Sequence, residues 1–155
     1  MRLAQGDRLE AMRLLQRALP LARWSATAQH MLPRVYGTMI RAAKDVESAR
    51  AVVDQAAATL GQEDSCPFCS ITLEVPAAVA CADAGDLDDA RRYLAAAERS
   101  AAFWKGTSWQ AAIAEARAHL DRAEGDEQAA RRRLREAAEL FAAAGQPLDV
   151  DRCLA

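Results

Sequence analysis

Cys66-Pro67-Phe68-Cys69 is the sharpest chemical motif in this 155-residue chain. Two thiols three positions apart suit two kinds of chemistry. If Pro67 opens a helix, Cys66 sits at its N-terminus, where unpaired N–H groups favour the thiolate, and the pair can cycle through a disulfide. The same spacing also suits a zinc-like ion, which needs two further ligands. Cys153, His30 and His119 can supply these only through tertiary contact, whereas Cys81, twelve residues past Cys69 on the same predicted helix, lies too far along its axis. Without such partners, Cys66, Cys69 and Cys81 serve as small packing residues. Residue types and spacing leave these alternatives open.

The motif resembles the active-site motif of glutaredoxin-type oxidoreductases, but those enzymes set it beside a βαβ unit. No strand is expected before Cys66, because Val, Ile and Thr are sparse and do not alternate. His30 and His119 have no Ser, Cys or Asp at a spacing that suggests a triad. Asp83, Asp86, Asp88 and Asp89 lack the spacing and closing Glu of a calcium loop, and read as helix caps and first-turn charges. There is no phosphate-binding glycine loop. These observations point to no catalytic residues and no cofactor.

Charge narrows the partners. The net charge is −2 and the pI near 5.7, so nothing favours nucleic acid in general. The one basic cluster, Arg131, Arg132, Arg133 and Arg135, alternates with Ala and Glu and reads as a solvated helix face. No apolar run is long enough to span a membrane, and the segment from Met1 to Asp7 lacks a signal-peptide core. A cytoplasmic protein with reduced cysteines is the expectation.

The elements that must position these residues are helices. About a quarter of the chain is Ala, the strongest helix former, while aromatic residues are only 5%. Internal repetition then organises the chain. The segment from Gly85 to Ala97 matches Gly125-Asp126, Ala130, Arg131, Leu134 and Ala137 forty residues on. It matches Asp45, Ala49, Arg50, Val53 and Ala56 forty-one residues back, and Gly6-Asp7, Ala11, Leu15 and Ala18 a further thirty-eight back. In each copy Gly ends one helix and Asp caps the next, except that Lys44 fills the Gly slot of the second. Ala11, Ala49, Ala90 and Ala130 are expected to let the helices of a pair pack closely, faced by Gly37, Ala78 and Ala118 on the other helix. Leu or Val fills the space one turn later.

This frame resembles the tetratricopeptide (TPR) repeat. The resemblance rests on Gly37, Ala78 and Ala118, on the Gly85 and Gly125 turns, and on the two Ala series. It implies an all-α, right-handed superhelix of antiparallel helix pairs, with seven or eight helices. The spacings of 38 to 41 exceed the family's usual period of about 34. The family's proline after the second helix is met only loosely, at Pro147. The units run roughly 1–24, 25–61, 66–104 and 107–145, with a partial helix at 147–155; helices are expected near 7–23, 31–43, 45–59, 67–84, 86–103, 108–124 and 126–144. Gly61 to Ser65 reads as a polar loop. Pro33 and Pro67 fit first turns of helices, and Pro76 should kink its own.

The first unit carries only its second helix, and Met12, Leu14, Leu15, Leu19 and Leu21 form a face wanting cover. This suggests a longer array or self-association. Trp24, Trp104 and Trp109 are expected to pin one unit to the next, or to serve as an interface. The Ala- and Arg-rich style and the long repeats also resemble the repeat region of large LuxR-type, MalT-like bacterial transcriptional regulators. That resemblance implies a protein or peptide partner, or other domains of the same chain, and effector sensing. A thiol redox or metal sensor using Cys66 and Cys69 is the alternative.

Overall fold

The computed structural model describes residues 3–60 and 66–155, so the expected loop from Gly61 to Ser65 lies outside the described residues. A short 3₁₀ turn, Leu3–Gln5, precedes eight helices: α1 (Arg8–Arg23), α2 (Ala28–Ala42), α3 (Val46–Thr59), α4 (Ile71–Asp83), α5 (Leu87–Ala101), α6 (Ser108–Ala123), α7 (Glu127–Ala143) and α8 (Pro147–Leu154). No strand occurs among the described residues. The fold is an all-α helical repeat.

The repeat frame sets the corners. Gly85, Gly125 and Gly145 take φ of +77°, +90° and +69°, a region costly for residues with a Cβ. At each corner two hydrogen bonds close the helix end: Gly85 N to Ala82 O with Asp86 N to Cys81 O, Gly125 N to Arg122 O with Asp126 N to Asp121 O, and Gly145 N to Ala142 O with Gln146 N to Phe141 O. This is the Schellman arrangement, which satisfies carbonyls the helix would otherwise leave unpaired. Asp7, Asp45, Asp86 and Asp126 then cap α1, α3, α5 and α7, each carboxylate accepting from the N–H three residues on. Where Lys44 replaces the glycine, α2 stops differently: Ala43 turns to an extended ψ of 144°.

α2, α4 and α6 stack side by side as one layer, and α3, α5 and α7 pack back on them as the other. α1 leans on α2, and α8 on α7. Between the layers lies a core of Tyr36, Val53, Ile71, Cys81, Leu94 and many alanines, with a smaller cluster around Phe141, Ala137 and Cys153 at the end. An arginine from the repeat frame clamps adjacent units. Arg50 on α3 donates to Asp86 (2.9 Å) and Asp89 (3.0 Å) at the start of α5, and Arg91 on α5 donates twice to Glu124 at the end of α6.

Three expectations need correction. Pro33 is not in a first turn, because α2 begins at Ala28, three residues before the expected start. Ser25 and Thr27 build the turn that starts it, with the Ser25 carbonyl accepting from Ala28 N and the Thr27 carbonyl from His30 N and Met31 N. α4 proper begins at Ile71, and Pro67 opens the turn that leads into it. Gly37 does not face the second helix of its own pair. It lies against the backbone of α4, where an added Cβ would stand 1.9 Å from the Thr72 carbonyl oxygen.

The alanine slots divide in the same way. Ala90 and Ala130 are 1% and 0% exposed, whereas Ala49 is only half-buried. Ala90→Leu and Ala130→Leu are therefore expected to lose about 1–3 kcal/mol each through overpacking, while Ala49→Leu loses less. Urea denaturation of the three variants checks this, and equal midpoints for all three would contradict the burial pattern.

Candidate functional site

Two features of the surface have chemistry to offer. The first is a groove of about 900 Å³ on the inner layer. Thr38 on α2, Val75, Pro76 and Val79 on α4, and Trp109 and Ala112 on α6 give it a largely apolar lining. Charge stands around them: Arg34 and Arg41 from α2, Asp83 from α4, Glu115 and His119 from α6, and Asp149 and Arg152 from α8.

Most of these charges are paired across helices. His119 Nδ1 lies 2.6 Å from Asp83 Oδ1, joining α6 to α4. Glu115, 7% exposed, receives a two-pronged bond from Arg152, Nε to Oε1 at 2.6 Å and Nη2 to Oε2 at 2.7 Å. Glu115 and Asp149 together hold the Arg152 guanidinium in its charged form against the cost of burial, with Glu115 the larger influence. Arg41 reaches Asp149 at 3.3 Å, so α2 meets α8 across 108 residues of sequence. The inner layer thus curves far enough to bring its first and last helices into contact, with the groove between them.

The second feature is the thiol motif. Cys66 and Cys69 bracket one tight turn, with Cys69 N and Ser70 N both donating to the Cys66 carbonyl at 2.9 and 3.0 Å. The turn is fixed from outside. Trp104 Nε1 donates to the Phe68 carbonyl at 3.1 Å, Phe68 packs on Phe103 with ring centres 4.7 Å apart, and Ser70 Oγ meets Ser100 Oγ at 3.1 Å. Beside that serine pair Glu74 is largely buried, and burial raises its pKa above the usual carboxylate range despite hydrogen bonds to Ser100 and Ser70.

His30 comes to this turn from the first turn of α2. Its Nδ1 lies 3.5 Å from Cys69 Sγ, and the three ligand atoms of His30, Cys66 and Cys69 all lie within 4.8 Å of one another. The contact at Gly37 holds this spacing. Gly37 is two turns beyond His30 on α2, Thr72 is one turn beyond Cys69, and the two backbones meet there. Burial opposes ionisation of the Cys66 thiol, but the N–H groups of Phe68 and Cys69, with Arg34 nearby, outweigh it and lower its pKa. The Cys69 thiol moves the other way, raised by burial and by Cys66. All four cysteines are free, and burial pushes Cys81 and Cys153 up to about 11 each.

No protein-family model, curated protein or solved structure matches this chain.

Of the residues singled out from sequence, Cys66 and Cys69 do meet a third donor, and it is His30. His119 pairs with Asp83 in the groove, and Cys153 lies in the core under α8. Gly85 and Gly125 form corners, while Ala78 and Ala118 are buried in the inner layer. Trp104 and Trp109 are half-buried against the core, as residues that pin units together, but Trp24 is 92% exposed. The groove charges carry no local signal: no spacing in the sequence announces that Glu115 meets Arg152, or that Asp83 meets His119.

Proposed function

We propose that this chain is a non-enzymatic helical-repeat scaffold that holds a peptide or protein segment in the groove bounded by α2, α4, α6 and α8. The observation that carries this reading is the groove itself, which pairs an apolar lining with a rim of both charge signs. The lining gains from burying apolar side chains, and the rim fixes orientation and register. Its volume lies at the upper end of ordinary ligand sites, which suits several side chains of a segment or one effector molecule. The wider context we propose is the effector-sensing repeat region of a bacterial transcriptional regulator. It is supported by the LuxR-type resemblance in repeat length and in Ala- and Arg-rich style.

Panning a random peptide library on the immobilised chain tests the groove. Enriched peptides are expected to lose binding to the groove variants Thr38→Trp and Ala112→Glu, and to keep it for Ala95→Glu on the exposed side of α5. Peptides that bind all three alike, or a library that yields none, would overturn the reading.

A thiol redox or metal sensor on the same scaffold is favoured by one specific observation. Arg34 lines the groove and also faces the sulfurs of Cys66 and Cys69. A change of state at the thiols therefore acts on a residue of the groove wall.

A further inference from the structure

We infer that His30, Cys66 and Cys69 form a three-ligand site for a zinc-class divalent ion. The inference rests on the sensor reading, narrows it to metal, and does not depend on what the groove holds.

Donor chemistry comes first. Two thiolates and an imidazole are soft and borderline ligands, the set that selects zinc-class ions over magnesium or calcium. The two thiolates balance the charge of a divalent ion. Binding is written as one M²⁺, two thiols and a neutral imidazole giving the complex and two protons released to solvent.

Geometry comes second. Metal–sulfur bonds of about 2.3 Å and metal–nitrogen bonds of about 2.0 Å, at tetrahedral angles, put ligand atoms roughly 3.5–3.8 Å apart. The Cys69 Sγ to His30 Nδ1 distance of 3.5 Å already meets this, and the whole group falls within 4.8 Å. Small side-chain rotations close the remainder. Among the described residues no further His, Cys, Asp or Glu joins the group, so solvent takes the fourth vertex.

Orientation comes third. Metal-bound histidines are aimed by a hydrogen bond at the other ring nitrogen. His30 Nε2 lies 3.3 Å from the Gln29 side-chain amide. With the amide oxygen turned inward, Gln29 accepts from Nε2–H and leaves the Nδ1 lone pair aimed at the ion, since the two amide orientations are interchangeable in position. The sulfurs are equally well placed, because their turn is pinned to the end of α5 and the linker after it by Trp104, Phe103 and Ser100. A pre-positioned ligand set loses little entropy on binding.

Cobalt(II) titration of the reduced full chain, free of oxygen, tests the site. The expected result is a thiolate-to-cobalt charge-transfer band saturating at about one ion per chain and erased by added zinc. Cys66→Ser and Cys69→Ser are each expected to abolish the band, and His30→Ala to weaken binding at least about ten-fold. Cys81→Ala and Cys153→Ala are expected to keep it, and circular dichroism shows which variants remain folded. No band at millimolar cobalt, or a band that survives both serine substitutions, would overturn the inference. If there is no band but hydrogen peroxide links Cys66 to Cys69, as seen by mass spectrometry, the metal site is refuted while the redox form of the sensor reading stands.

Discussion

Gly37→Ala is expected to destabilise the fold by about 3 kcal/mol or more, beyond the usual range for overpacking by one methyl group. The reason is what the methyl group meets. An ideal Cβ at Gly37 stands 1.9 Å from Thr72 O, 2.8 Å from Thr72 C and 3.2 Å from Leu73 Cα. All three are backbone atoms, so no rotamer change relieves the clash. Pro76 lies on the other side of the same contact. Having no N–H, it cannot donate to the Thr72 carbonyl four residues back, and that carbonyl faces the bare Cα of α2. The sign makes the test decisive. In an exposed helix, replacing Gly by Ala stabilises by about 1 kcal/mol. Urea denaturation of Gly37→Ala therefore separates the cases: a raised midpoint would mean that α2 and α4 do not approach as described. The same contact spaces His30 from Cys69, so a folded Gly37→Ala protein is also expected to lose the cobalt band.

Arg152→Ala is expected to cost about 2–3 kcal/mol. Removing one partner of a buried ion pair costs about 3–5 kcal/mol, because the other charge stays behind unpaired. The Arg152 side chain is 42% exposed, so water reaches part of the site and the lower figure applies. Glu115 is the residue left stranded, on the inner wall of the groove. Pairing Arg152→Met with Glu115→Gln removes both charges and is expected to recover most of the loss. Stability curves for the two single variants and the double variant measure this coupling. An Arg152→Ala protein as stable as the parent would show that the fork to Glu115 does not hold α8 in place.

The sequence and the structure agree most closely where the forces are local. The Gly85 and Gly125 corners, the four Asp caps and the seven long helices follow from chain conformation and from hydrogen bonds within six residues, and those act on neighbours in sequence. The start of α2 is a small exception with a large effect. Ser25 and Thr27 begin the helix early, and His30 thereby falls within its first turn. The thiol pair was legible from spacing alone. Its third donor was one of three candidates, because only the packing of α2 on α4 decides between them. The groove was the least legible. Arg41–Asp149, Arg152–Glu115 and His119–Asp83 all depend on how far each unit rotates from the last, a quantity spread over many small contacts and marked by no single residue. Gly37 was singled out correctly as a close-packing position, but its partner was misjudged, since a small residue shows that something comes near without showing what.

The glycine corners also bear on how such a chain can grow. The residues before Gly85 and Gly125 have almost the same backbone, φ −81° and ψ −5° at Ala84 and φ −81° and ψ −6° at Glu124. The same two bonds close each corner, and an Asp cap follows each. A stretch of chain from Gly85 to Glu124 therefore begins and ends on the same local geometry. Copied in tandem, it would meet itself at a junction already compatible with its neighbours, and each copy would keep its own Arg91–Glu124 clamp. The Lys44 corner has no such property, because α2 ends there in an extended conformation of its own. Gene duplication, natural or engineered, thus has one favoured cassette in this protein, and it is the third unit rather than the second.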